Sequence, residues 1–243
     1  MPGRTGRVEQ ERERRTSLVI GGREMALVVR RHPRARRLSL RLPVGDGSVL
    51  VTIPERAAFA DGVALARNNS AWIEAKVAAR PKRVAFVPGA VVPLRGIDHE
   101  IRHVPASATP TRAEGGSILV GGGEASLPAR VEAWLRREAR ADLASEVARL
   151  APGVDRPPGR IGVRDTRSRW GSCSADGNLS FSWRLILAPP PVLAYVAAHE
   201  LAHLIERNHG PRFWALVARL GGDGVAEARA WLRRNGPGLH RYG

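Results

Sequence analysis

Short apolar runs, separated by turn-forming glycines, make up the first part of the chain. Residues 37–42 alternate charged and apolar side chains, and Gly21 and Gly22 separate two further apolar runs. A period of two residues is typical of strands that bury one face of a sheet. The pattern predicts a small antiparallel sheet with one polar face, with strands at residues 18–20, 26–29, 37–42 and 49–53.

A helical pattern follows this predicted sheet. It covers residues 57–80, and Asn68, Asn69 and Ser70 interrupt it. Serine is a favoured N-cap residue, so we expect Ser70 to cap the second half of the helix. β-type runs then return over residues 84–104, and no internal repeat is visible in the sequence.

A long amphipathic helix is predicted over residues 127–150, after a glycine joint at residues 121–123. Its apolar residues recur at helical spacing: Val131, Trp134, Leu135, Leu143 and Val147. We expect the chain to have three parts: a flexible basic arm at residues 1–16, a β-rich part with one helix at residues 17–125, and a helical part at residues 126–243.

The helical part contains a small predicted sheet. Two candidate strands, residues 161–164 and 179–183, flank a polar stretch at residues 167–174, which is a candidate edge strand for pairing with an extended peptide. Three helices follow, at residues 190–207, 211–220 and 225–234. The sequence therefore predicts an α+β fold, with a β-rich N-terminal part before a helical part that carries a small antiparallel sheet.

Composition narrows the class of protein. The chain has 243 residues, of which 43% are hydrophobic, enough for one sizeable domain or two small ones. No apolar run approaches the roughly 18 residues of a transmembrane helix. Residues 1–15 lack the apolar segment of a secretory signal, and the single cysteine, Cys173, excludes an internal disulfide. We expect a cytoplasmic protein without membrane association.

The formal net charge is +16, with 39 basic and 23 acidic residues. Residues 1–41 hold 12 arginines and four glutamates, so half of the excess lies in about a sixth of the chain. Residues 161–220 carry a net charge of only +3. A basic excess of this size indicates attraction to nucleic acid or reflects genomic composition, because only two of the basic residues are lysine.

One predicted helix contains the sequence His199-Glu200-Leu201-Ala202-His203. Residues four apart lie on one helix face, so His199 and His203 can point both imidazoles at one metal ion. Glu200 is offset by one position, where a general base for water on the metal belongs. The motif predicts an active-site HExxH helix.

His209 follows His203 by six residues and is the preferred third ligand. Asn208 can adopt the left-handed conformation that a helix exit needs, and Gly210-Pro211 prevents the helix from continuing. Three histidines and one open position form a catalytic zinc site, whereas four protein ligands form a structural one. Glu206 and Glu227 stay open as alternative ligands, and Cys173 is expected to be a small, partly buried residue.

Four segments together resemble a known family. They are Arg169-Trp-Gly-Ser-Cys-Ser, Leu179-Ser-Phe-Ser-Trp-Arg-Leu, His199-Glu-Leu-Ala-His-Leu and Asn208-His-Gly-Pro-Arg-Phe-Trp. The chain resembles the YgjP-like metallopeptidases, which are related to the SprT-like zinc peptidases. The resemblance is dense over residues 160–220 and leaves out the first 16 residues.

The resemblance implies a zincin-type domain in which His199, His203 and His209 bind Zn²⁺ and Glu200 is the catalytic base. The histidine spacing equals that of metzincins. However, Glu206 occupies the position of their glycine, and no methionine follows Met25. We therefore do not assign the chain to the metzincins.

The sequence thus predicts a zinc metallopeptidase that hydrolyses peptide bonds in a peptide or protein substrate. Candidate donors to the oxyanion are Arg184, Tyr195, His240 and Tyr242. The alternative is a nucleic-acid-binding protein with a structural or weakly active metal site, which uses the arginines between residues 30 and 41. The two interpretations are combined in a protease that acts on DNA-bound proteins.

Overall fold

The computed structural model describes residues 12–43, 47–79, 82–105 and 110–243. The chain forms two compact units, Met1–Pro81 and Lys82–Gly243. The described residues have an α+β fold with six α-helices and small mixed sheets. No helix among them is both long and apolar enough to cross a membrane.

The first unit contains a four-stranded sheet. Its strands are β1 (Glu13–Ile20), β2 (Arg23–Arg31), β3 (Ser39–Arg41) and β4 (Val49–Ile53), in the order β1-β2-β4-β3. The sheet predicted as antiparallel is mixed, because β4 returns between β3 and β2 and so runs parallel to β2. β1 includes residues 13–16 of the predicted arm, and residues 1–11 of that arm lie outside the described residues.

Two helices complete the first unit, α1 (Phe59–Asn68) and α2 (Ser70–Ala78). The predicted interruption falls at Asn69, whose side-chain amide donates to the carbonyl of Leu65 at 2.8 Å. Asn69, rather than Ser70, occupies the N-cap position of α2. The core between sheet and helices is apolar and buried, and includes Leu27, Val51, Ile53 and Ile73.

The second unit begins with a sheet of the same topology. Its strands are β5 (Val91–Leu94), β6 (Ile97–Val104), β7 (Arg112–Glu114) and β8 (Ser117–Gly121), in the order β5-β6-β8-β7. As in the first unit, two antiparallel hairpins place their second strands side by side and parallel. The two four-stranded sheets therefore repeat one strand topology, although no repeat is visible in the sequence.

Helix α3 (Leu127–Leu150) follows this sheet and confirms the amphipathic pattern read from the sequence. Arg95, in the β5–β6 turn, has a φ of 53° and is the one non-glycine residue with positive φ among those described. Its guanidinium pairs with Asp142 at 2.7 Å and Glu138 at 3.0 Å, both on α3. These ion pairs hold the turn on the helix.

In the structure, the boundary between the two compact units lies after Pro81 and therefore before this sheet. The boundary predicted from the sequence, between residues 125 and 126, lies after the sheet.

A three-stranded sheet and three helices form the remainder of the second unit. The strands are β9 (Ile161–Arg164), β10 (Gly171–Cys173) and β11 (Leu179–Ser182), in the order β10-β11-β9. This sheet is also mixed rather than antiparallel, because the chain crosses to the far edge to form β10 before it returns as β11, parallel to β9. The helices are α4 (Pro190–Ala202), α5 (Pro211–Gly221) and α6 (Val225–Leu239).

Candidate metal centre

Three histidines converge at the C-terminal end of α4. His199 lies in the last turn of α4, His203 is its C-cap residue, and His209 lies in the loop before α5. Each offers one nitrogen, and the three nitrogens lie within 4.8 Å of one another. Nε2 of His209 is 3.1 Å from Nε2 of His199. Two nitrogens bound tetrahedrally to one zinc ion lie about 3.3 Å apart, so this spacing fits a shared ion.

The chain returns to the site through a tight exit from α4. The helix ends at Ala202, five residues before the predicted end, because the amide of Leu204 bonds to the carbonyl of Leu201 at 3.0 Å, a 3-10 pattern. The amide of Gly210 then bonds to the carbonyl of Asn208 at 2.8 Å, which makes a γ-turn at His209. Asn208 is not left-handed, so the prediction of a left-handed exit there is wrong.

Aromatic packing holds the three imidazoles in place. The ring of Phe213, fully buried on α5, lies 4.6–4.8 Å from all three histidine rings. Trp214 stacks on His209 with ring centroids 6.0 Å apart. Arg229 of α6 lies over Trp214 at 4.1 Å. The first residues of α5 therefore form one wall of the site.

The donor atoms suit a cation. Nδ1 of His203 lies 3.0 Å from the carbonyl oxygen of Glu206, which leaves Nε2 for a ligand bond. Burial lowers the pKa of His199 to about 4, and burial also lowers the pKa of His203. Both imidazoles are therefore neutral at physiological pH, the form that binds a metal. Nδ1 of His199 is buried without a hydrogen-bond partner in the described part of the chain.

Glu200 lies beside this cluster and is only 5% exposed. Burial raises its pKa to about 7, against the opposing effect of Arg169. Strand β10 packs on its carboxylate, since a Cβ atom on Gly171 would lie 2.5 Å from Oε1 of Glu200. No role for Gly171 is predicted from the sequence, although a glycine inside a strand often marks a close approach of another group.

Neither alternative glutamate joins the cluster of possible metal-binding side chains, which among the described residues contains the three histidines alone. Glu206 supplies its backbone oxygen to His203, and Glu227 lies in the first turn of α6. Cys173 is partly buried, as expected, and burial raises the pKa of its thiol. The contact between Arg229 and the ring of Trp214 is visible only in the structure, because nothing in the sequence links the two residues.

The four candidate oxyanion donors have different surroundings. Arg184 is buried, pairs with Asp165 at 3.1 Å, and donates to the backbone carbonyls of Leu239 and Tyr242. The ring of His240 lies tilted against Trp170, with centroids 5.0 Å apart, and the hydroxyl of Tyr242 accepts a hydrogen bond from Arg241 at 3.1 Å. Tyr195, which is 8% exposed on α4, lies with its ring 6.0 Å from that of His199. Among the four, Tyr195 is the residue with a ring contact to the histidine cluster.

Strand β10 is an edge of its sheet. The amide of Ser182 donates to the carbonyl of Trp170, and the amide of Ser174 donates to the carbonyl of Asn178, both at 2.9 Å. In an antiparallel ladder the bonded residues alternate, so Gly171 and Cys173 point their amides and carbonyls away from β11. An open backbone edge therefore lies directly beside Glu200.

Among the comparisons with known proteins, the family model links the chain to the metallopeptidases. A family model described as "YgjP-like, metallopeptidase domain" matches residues 36–235. No curated protein matches the chain. Among solved structures, the chain is 22% identical to "Crystal structure of the metallopeptidase zymogen of Pyrococcus abyssi abylysin", over 39% of this chain and 93% of that one, with a TM-score of 0.32. A score this low does not establish a shared fold.

Proposed function

The chain belongs to the YgjP-like metallopeptidase family, and from that premise we propose that it is a zinc peptidase with Glu200 as general base. Its zinc ligands are His199, His203 and His209. The observation that carries the proposal is the convergence of three imidazole nitrogens within 4.8 Å, on a helix end and the following loop.

The donor set favours zinc over other divalent ions. It consists of nitrogen alone, without the carboxylates that magnesium or calcium prefer. Three protein ligands leave a fourth position for water or substrate, which is the catalytic arrangement. Zinc in such a site supplies a Lewis acid that lowers the pKa of water toward neutrality and polarises a carbonyl.

Glu200 follows the first ligand directly in α4, so its carboxylate lies beside the ligand cluster. We assign two proton transfers to this carboxylate. It takes a proton from the attacking water and then gives that proton to the leaving amine, so that it ends each turnover ionised. Packing against Gly171 limits its motion and keeps it at the position of attack.

The open edge of β10 provides a binding mode for an extended peptide. A substrate strand that bonds to Gly171 and Cys173 gains main-chain hydrogen bonds without regard to its sequence. Side chains directly opposite each other share a face of the sheet, so the residue opposite Gly171 points toward Glu200. The substrate backbone thereby passes the catalytic carboxylate.

In terms of domains, we assign the peptidase chemistry to residues 126–243, with the HExxH helix α4 at its centre. Every residue given a catalytic or ligand role lies in this part, and the β-rich part at residues 17–125 precedes it. The fold of this part is the zincin-like one implied by the family.

Nucleic-acid binding through the N-terminal arginines is the weaker candidate. Arg30 pairs with Glu13 at 2.8 Å, and Arg31 donates to the carbonyl of Ala57 and lies over Phe59. These two side chains stabilise the first unit itself. Arg34, Arg36 and Arg37 are exposed in the loop before β3 and leave a smaller basic surface.

The test compares hydrolysis of an unfolded protein, fluorescently labelled casein, by zinc-loaded wild type, Glu200→Gln and Glu206→Gln. We expect Glu200→Gln to lose about 10²–10⁴-fold in rate and Glu206→Gln to stay active, since Glu206 contributes its backbone oxygen. Zinc content is measured in all three. Full activity of metal-loaded Glu200→Gln would reject the general-base assignment.

A further inference from the structure

A broad groove of about 1010 Å³ lies on the sheet that carries β10. Its floor includes Ser172, Ser180 and Gly162, which lie side by side on three neighbouring strands. These residues share one face of the sheet, because partners across a ladder point the same way. Because these residues have small side chains or none, they do not project into the groove, and a bound segment can lie against the sheet.

Four exposed arginines line the groove. Arg160 and Arg164 are two residues on either side of Gly162, and they therefore share its face. Arg169 precedes β10, and Arg140 comes from α3. Asp176 is the one acidic residue in the lining, so four arginines against one aspartate leave a net charge of +3.

These arginines have no ion-pair partner among the described residues, whereas others in the same unit are paired. Arg95 pairs with Asp142, and Arg136 pairs with Glu132. No carboxylate within the described ranges lies within 4.0 Å of the groove guanidinium groups. Arg169 also attracts the carboxylate of Glu200, so the positive charge without a partner among the described residues is concentrated at Arg140, Arg160 and Arg164.

The groove adjoins the catalytic carboxylate through β10. Gly171 contacts Glu200, and the next residue, Ser172, forms part of the groove floor. An extended peptide on the edge of β10 alternates its side chains between the two faces of the sheet. When the residue opposite Gly171 points toward Glu200, its two neighbours point toward the groove.

We propose that this groove selects peptide substrates with Asp or Glu side chains next to the residue that faces Glu200. The inference rests on the proposed peptidase function and deepens it. Arginine binds carboxylates through paired, charge-assisted hydrogen bonds, and serine hydroxyls in the floor donate further ones. An acidic peptide fits better than a nucleic acid because the groove continues directly into the strand edge beside the catalytic residue.

The first experiment measures kcat/KM for two peptides that differ only in Glu against Gln at alternate positions around the cleavage site. The zinc-loaded enzymes are wild type, the double variant Arg160→Gln/Arg164→Gln, and Arg137→Gln. Arg137 is exposed on α3 outside the groove lining, so its replacement removes charge without altering the groove. We expect wild type and Arg137→Gln to prefer the acidic peptide by about tenfold, and the double variant to lose that preference. Equal rates on both peptides in wild type would overturn the proposal.

A second experiment separates failure of the groove from failure of the peptidase function. Fluorescence anisotropy measures binding of the labelled acidic peptide, its Gln version and a single-stranded oligonucleotide to zinc-loaded Glu200→Gln, with and without the double arginine substitution. If wild type cleaves neither the two peptides nor casein, the peptidase function fails. Acidic-peptide binding that the double substitution abolishes still supports the groove. Absent binding of the acidic peptide, or displacement of it by the oligonucleotide at lower concentration, rejects the acidic-peptide assignment.

Discussion

Gly171 lies so close to Glu200 that a methyl group on its Cα would be 2.5 Å from Oε1 of the glutamate. Contacts this short do not occur between a real Cβ and a carboxylate oxygen, so either the strand or the carboxylate must move. The edge strand and Glu200 are therefore fitted to one another, and the fit depends on the absence of a side chain at Gly171.

Substitution of Gly171 by alanine should displace the carboxylate of Glu200 and leave the metal ligands in place. We expect kcat/KM on an unfolded protein to fall about 10–100-fold with unchanged zinc content, since small misplacements of a catalytic group cost about this much. Gly123→Ala is the matched control, because its Cβ would meet nothing within 4 Å and Gly123 lies outside the groove. Equal activity of both variants would show that the contact does not position Glu200.

Phe213 should control the affinity for zinc, because its ring packs on all three histidines. We expect Phe213→Leu to weaken zinc binding about tenfold or more, as loss of a supporting residue around a metal site typically does. Phe181→Leu makes the same change at another fully buried phenylalanine. Competition with a zinc chelator measures both affinities, and a similar loss in both variants would assign the effect to general destabilisation.

Arg184 should stabilise the fold rather than the transition state. It is 5% exposed, pairs with Asp165 and holds the C-terminal carbonyls of Leu239 and Tyr242. We expect Arg184→Gln to lower the free energy of unfolding in urea by about 3 kcal/mol. The exposed pair Arg149–Glu146 provides the control, with a loss below about 1 kcal/mol for Arg149→Gln.

Catalysis by folded Arg184→Gln distinguishes the two roles. We expect its kcat on casein, measured below the unfolding transition, to stay within about twofold of wild type. A large fall in kcat with unchanged stability would instead make Arg184 an oxyanion donor.

The pH dependence of stability should report on Glu200 in the zinc-free protein. Burial raises its folded pKa to about 7, above the value of about 4.3 in the unfolded chain. Between these values the folded state binds more protons, so the contribution of Glu200 to stability is complete below about pH 4 and is lost as the pH rises through 7. Relative to Glu200→Gln, the chelated wild type should lose about 3 kcal/mol over that range.

Urea unfolding of both proteins at several pH values measures this difference. The histidines that titrate over the same range are present in both proteins and largely cancel. A difference between the two proteins that does not change with pH would contradict the burial of an ionisable Glu200.

The convergence of the three histidines could be predicted from the sequence because helical geometry places His199 and His203 on one face and Gly210-Pro211 forces the chain to turn. The conformation of that turn could not be predicted from the sequence. The exit from α4 depends on 3-10 hydrogen bonds after Ala202 and on a γ-turn at His209. Neither conformation has residue preferences strong enough to be recognised in a sequence.

The apolar alternation predicted strands in the right regions but not their partners. β4 runs parallel to β2, and β9 runs parallel to β11, because in both cases the intervening strand lies at an edge. Strand order depends on packing between distant segments. The arginine groove could not be predicted from the sequence for the same reason. Arg140 lies on α3, far in sequence from Arg160 and Arg164, and the three residues come together only in the folded structure.

The zinc content of wild type, His209→Ala and Glu206→Ala, each equilibrated at the same buffered free zinc concentration, shows directly whether the three histidines hold the metal ion. We expect one zinc ion per chain in wild type and Glu206→Ala, and loss of zinc from His209→Ala, because His209 supplies the third nitrogen of the cluster. Zinc retained by His209→Ala with wild-type affinity, or lost from Glu206→Ala, would contradict the three-histidine site.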